Sequence, residues 1–162
     1  MYVRNILVDT SVPPSSSPPL NFSLEQQVQS GFNLILPLKN PAQMPALMAT
    51  LQVAKAAIYE QLRELHYIHF ARFLPLPDGS ALLVVTTYDG DLNSYVMDFV
   101  AVLADVFDQV FIYLKDAPPL PVKDYPVEFV NYVTAHNEAA AGVWSAYPDL
   151  TLIDIIGASS SP

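Results

Sequence analysis

The segment from Tyr67 to Val106 constrains the fold more than any other part of this chain. Tyr67-Ile-His-Phe-Ala-Arg-Phe-Leu74 leads through Pro77-Asp78-Gly79-Ser80 into Ala81-Leu-Leu-Val-Val-Thr-Thr-Tyr88, and Asp89-Gly90-Asp91 then opens a helical pattern. Strand-forming runs on either side of Pro-Asp-Gly predict an antiparallel hairpin. Asp91 is placed as an N-cap. Beyond it Leu92, Tyr95, Val96, Phe99, Leu103 and Val106 form one apolar stripe, with Ser94, Asp98, Ala101 and Asp105 on the other side.

The flanks supply what this unit packs against. Phe32 to Leu38 predicts a strand with Pro37 near its end. A helix starting between Pro41 and Met44 carries Met44, Leu47, Met48, Leu51, Ile58, Leu62 and Leu65, and ends near His66. Val110 to Leu114 predicts a fourth strand. The element order is therefore β-α-β-β-α-β, the split βαβ arrangement of ferredoxin-like domains. The expected class is α+β, with an antiparallel four-stranded sheet and both helices on one face. Around this core, at residues 31–116, lie an N-terminal arm with a Pro/Ser linker (1–30), a C-terminal helix-strand extension (117–156) and a polar tail (157–162). The arm includes a short strand over 2–9 and a helical turn from Ser23 to Gln29. The extension holds a helix from Pro126 to Glu138 and a strand from Leu150 to Ile156.

The strands are apolar on both faces, whereas an antiparallel sheet with one wet face alternates. Hydrophobic residues make up 52% of the chain and charged residues 14%, against roughly 25% charged in an average domain. The second face therefore needs a cover: another copy, the C-terminal segment or a ligand. A homodimer is the expected state. Seven basic and sixteen acidic residues give a net charge of -9, and no Lys or Arg lies between Arg72 and Lys115. Such a potential repels phosphates, which argues against nucleic acid and anionic membrane surfaces as partners. No cysteine is present, so disulfides, thiolate metal sites and cysteine nucleophiles are excluded. The N-terminus has no signal-peptide pattern, and no apolar run nears the roughly 20 residues of a membrane span. A cytoplasmic protein without a membrane segment is expected.

The core order over 31–115, with its apolar second face, resembles the dimeric α+β barrel (ferredoxin-like) superfamily. Phe70-Ala-Arg-Phe73 combined with Tyr88-Asp-Gly-Asp-Leu92 is similar to uncharacterised members of that group. The resemblance implies two sheets meeting face to face around a shared interior, in a group that includes haem enzymes and cofactor-free oxygenases.

A three-residue loop at 77–79 would set Leu74 against Leu82, Arg72 against Val84, Phe70 against Thr86 and Ile68 against Tyr88. His69 would then lie beside Thr87 and diagonal to Asp89. A histidine oriented by a carboxylate is the usual form of a general base, and a mid-strand Arg72 offers a fork for a carboxylate or phenolate. The ligand-binding candidates are His69, Arg72, Tyr88, Asp89 and His136, the last continuing the stripe Phe129, Tyr132, Val133. The structural alternatives are a turn and helix cap for Asp89-Gly-Asp91 and core packing for His136. His66 and His69 have metal-ligand spacing without a third ligand, so no metal is predicted. No cofactor is predicted either; haem enters only through the resemblance. Neither a nucleophile-elbow serine nor a phosphate-binding glycine loop occurs. The expected function is binding of a small apolar or aromatic ligand on the apolar sheet face. Beside it stand an oxygenase or haem-dependent enzyme and a protein-interaction module built on the arm and the acidic helix.

Overall fold

The computed structural model of the protein describes residues 27–159. The expected strand at 2–9, the Pro/Ser linker and most of the Ser23–Gln29 turn lie outside the described residues. The described chain is mixed α/β. Its strands are β1 (Gln29–Pro37), β2 (Ile68–Pro75) and β3 (Ala81–Asp89), and its helices α1 (Met44–Glu64), α2 (Leu92–Phe111), α3 (Pro126–Ala135) and α4 (Leu152–Ser159). The strands form one antiparallel sheet in the order β1-β3-β2. Among the described residues no helix is long and apolar enough to cross a membrane.

Local chemistry accounts for the boundaries. A 3-10 turn, Pro41–Gln43, capped by the Asn40 side chain, leads into α1. The helix stops where His66 adopts φ 55, a left-handed conformation that cannot continue it. Asp91 caps α2 by accepting from the Ser94 N–H at 3.0 Å. In the hairpin loop Gly79 has φ 73, and a Cβ there would lie 2.7 Å from the Pro41 carbonyl oxygen. Only glycine suits both the hairpin turn and its contact with the 3-10 turn that leads into α1.

One face of the sheet holds the core. Phe32, Leu34, Leu36, Leu82, Val84 and Tyr88 are buried against Met44 and Leu47 of α1, Tyr95, Val96 and Val100 of α2, and Phe129 and Val133 of α3. Thr86 and the Tyr95 hydroxyl are hydrogen-bonded within it.

Three expectations are corrected. Val110 to Leu114 is not a strand: α2 runs through Phe111, and Val110, Phe111 and Leu114 are buried while Ile112 is 52% exposed. Burial at i, i+1 and i+4 is helical, not alternating. Among the described residues the sheet therefore has three strands, not four. Leu150 to Ile156 is not a strand either. Thr151 and Asp154 form a reciprocal cap, the Thr151 N–H donating to Asp154 Oδ2 at 3.0 Å and the Asp154 N–H to Thr151 Oγ1 at 3.3 Å, which starts α4. The Thr151 hydroxyl, donating to Asp154 Oδ2 at 2.6 Å, and then the Thr151 N–H hold the Asp154 carboxyl below the usual carboxylate range. Third, α3 ends at Ala135, so His136 sits just beyond the helix.

The outer edge of β1 is satisfied piecemeal. Ile35 N–H donates to the His136 carbonyl and Glu138 N–H to the Asn33 carbonyl, both at 2.9 Å; Lys115 N–H reaches the Pro37 carbonyl at 2.8 Å, and Val28 N–H the Pro148 carbonyl at 2.9 Å. Pro37 turns its missing donor to this side, where no full strand requires it. On the opposite edge β2 is blunted by an irregularity between Ile68 and Phe70 and by Pro75.

Two outcomes check this packing. Leu114→Ala should cost about 2–5 kcal/mol in urea unfolding, whereas Ile112→Ala should stay within about 0.5 kcal/mol. Equal effects would restore the strand. Burial pushes the Tyr132 phenol up to about 12 and raises Tyr88 and Tyr95 too. The unfolded chain releases these protons near pH ~10 and the folded chain does not. Stability should thus be fully present below that pH and decline as it rises towards 12, read as a falling urea midpoint. Tyr95→Phe should lessen the decline.

Candidate functional site

The site begins with a one-residue difference in the hairpin. The Leu76 N–H donates to the Ala81 carbonyl at 2.9 Å, so four residues, not three, make the loop. Arg72 then faces Val85, Phe70 faces Thr87 and Leu74 faces Leu83, while Ile68 keeps Tyr88 because the shift beside His69 restores the register. A one-residue slip exchanges the faces. Ala71 and Phe73 point to the core with Thr86 and Val84, and Phe70, Arg72 and Leu74 point to the second face. The expected pairings of Arg72 with Val84, Phe70 with Thr86 and Leu74 with Leu82 are corrected accordingly.

The irregularity brings His69 to Asp89. Nε2 of His69 lies 2.7 Å from Asp89 Oδ1, with the two side chains only 6% and 10% exposed. Asp89 Oδ2 accepts the Leu152 N–H at 2.7 Å, at the start of α4. The pair thereby ties the C-terminal segment to the sheet. Gln29 does the same from β1, its Nε2 donating to the Tyr147 and Leu150 carbonyls at 3.0 and 2.9 Å. Gly31 leaves room for Val143, whose methyl would be 3.1 Å from an added Cβ. The C-terminal segment thus covers the half of the second face around Gln29, Gly31 and Asp89. The other half, Ile35, Phe70 and Leu74 beside Leu83 and Val85, stays open, with Phe70 69% exposed.

Next to Phe70 is an open hollow of about 270 Å³. Tyr59, Leu62 and Arg63 of α1 and Ile68, His69, Phe70 and Ala71 of β2 line it. Lys55 lies 5.4 Å from the Tyr59 ring centroid, a cation over an aromatic face. Three of the seven basic residues, Lys55, Arg63 and Arg72, therefore lie on the second half of α1 and on β2. Tyr59 and Arg63 escaped the sequence reading. Their spacing of four on either side of Leu62, just before the chain reverses into β2, is the signal that marks them.

The predicted residues separate into groups. His69 and Asp89 meet, and Arg72 is exposed two residues from Phe70 on the same face. Tyr88 is on the opposite, core face, its ring 3.9 Å from Tyr95 in a stacked arrangement. His136 lies beyond β1, at the other edge of the sheet from His69, its Nδ1 2.8 Å from the Tyr132 carbonyl. At least two strand spacings, roughly 10 Å, separate the two histidines, so one small ligand does not meet both. The exposed His66 has Nδ1 against the Glu64 carbonyl. Among the described residues no cluster of three or more His, Asp and Glu side chains is arranged to hold a metal ion.

Asp89→Ala would leave a buried imidazole and the Leu152 N–H unpaired. It should cost about 1–3 kcal/mol and speed amide exchange at Leu152 and along α4, with the β1–β3 amides unchanged. Unaltered exchange in α4 would show that the carboxylate does not anchor that helix.

Comparison of the chain with protein-family models, with curated proteins and with solved structures returned no match, so the geometry of this hollow carries the functional argument.

Proposed function

We propose that this protein is a ligand-binding α+β module of ferredoxin-like descent, acting as a homodimer, that takes a small aromatic molecule in the hollow beside Phe70. The observation that carries the reading is the exposed aromatic pair Phe70 and Tyr59 at one hollow, with Arg63 on its wall. Exposed rings held by a helix and a strand suit a flat apolar ligand, and guanidinium adds a charge-assisted bond to a carboxylate or phenolate. In a chain of net charge -9, the cations Lys55, Arg63 and Arg72 would favour an anion at this place. Support for the descent comes from the edge of β1. Bridges from Leu114 to Leu38 and from Asn137 to Leu34 stand where a fourth strand beside β1 would run. Support for the dimer comes from the open half of the second face. A second copy laid over Ile35, Phe70 and Leu74 would cover them and close the hollow.

A second reading, catalysis, is favoured by one observation: His69 lines the hollow while Asp89 holds its Nε2. That arrangement leaves Nδ1 as the nitrogen able to take a proton from a bound ligand. A cofactor-free oxygenase would use it in that way. A hollow of about 270 Å³ that is open to solvent does not sheathe a haem macrocycle.

Calorimetric titration with benzoate tests the leading proposal. Phe70→Ala and Arg63→Ala should each weaken binding about 10-fold or more, with the unfolding midpoint within about 0.5 kcal/mol of the parent because both side chains are exposed. Equal affinity in parent and variants would put the ligand elsewhere. Light scattering after gel filtration should give twice the chain mass, and Phe70→Glu half of that. A monomeric parent would remove the shared face.

A further inference from the structure

A void of about 70 Å³ lies between the core face of the sheet and the helices. Its wall is entirely apolar, with Phe32, Leu34 and Val84 from the sheet, Leu51 and Ile58 from α1, and Leu103 from α2 among the lining residues.

Water is a poor occupant, because a buried water needs two to four polar partners and this wall presents none. The void is also below the size of a drug-like pocket. We infer that it is a binding site for an uncharged apolar molecule of gas size, with about two or three heavy atoms, judged against the ~30 Å³ that one water occupies in the liquid. Such a ligand restores the dispersion contacts that the lining residues lack on their inner side. Phe73, Phe99 and Phe107 line the void while only half-buried, and the way in runs past these rings. The site shares no lining residue with the hollow at Phe70, which lies between β2 and the end of α1 and carries charge.

Xenon is the probe. Methyl-detected NMR of the full chain under xenon pressure should show saturable shifts at Leu51, Val96, Leu103 and Val133, with the Ile35 and Leu74 methyls unmoved. Cyclopropane should displace xenon, whereas formamide, equal in heavy atoms but polar, should not. Val96→Ile adds a methylene to the wall and should weaken xenon binding at least fivefold; Val133→Ile serves if that variant does not fold. Shifts that rise without saturating and spread over the surface, displacement by formamide, or full affinity in the filled variant would each overturn the inference. Benzoate titration is unaffected by these outcomes, so the two sites fail separately.

Discussion

A three-stranded antiparallel sheet has two faces and two edges, and the helices α1, α2 and α3 satisfy only one face. Everything else in the structure is a response to that shortage. The core face takes the long apolar residues of all three helices, including a string of aromatic contacts from Tyr88 through Tyr95 to Phe99 and from Phe107 to Phe129. The segment after α3 is then used as a patch for the rest. It gives its carbonyls to β1, its Val143 side chain to the space left by Gly31 and its Leu152 N–H to Asp89.

The patching is asymmetric, and the asymmetry places the candidate site. β1 has backbone partners from three separate segments on its outer side, so that edge is closed to strangers. Among the described residues no segment does this for β2, whose irregularity and Pro75 make it a poor template for another strand. What remains available is its face, where Phe70 and Leu74 meet the open half of the sheet, and the hollow between it and the end of α1. An occupant therefore meets rings and guanidinium groups more than backbone hydrogen bonds.

His69 and Asp89 show how a backbone irregularity can serve two ends. The shift beside His69 corrects a register that the four-residue loop had displaced, and it also turns an imidazole towards a carboxylate twenty residues away. Because that carboxylate also holds the first turn of α4, a change at the hollow and a change in the C-terminal segment share one side chain.

Periodicity and turn chemistry alone determined α1, the hairpin, the Asp91 cap and α2 up to its last turn, since each depends on residues within one or two turns of one another. The capping box at Thr151 and Asp154 was equally local, yet the β-branched run after it read as strand. Tertiary structure decided the rest. Whether Phe70 and Arg72 face the core or the second face turned on a single loop residue, because the two-residue period of a strand reverses every side chain at one step of slip. Whether Val110 to Leu114 became strand or helix end turned on which neighbours buried Phe111 and Leu114, since a five-residue apolar run suits either state. And the meeting of His69, Asp89 and Leu152 joins segments as much as eighty-three positions apart, a distance over which only the packed fold specifies contact.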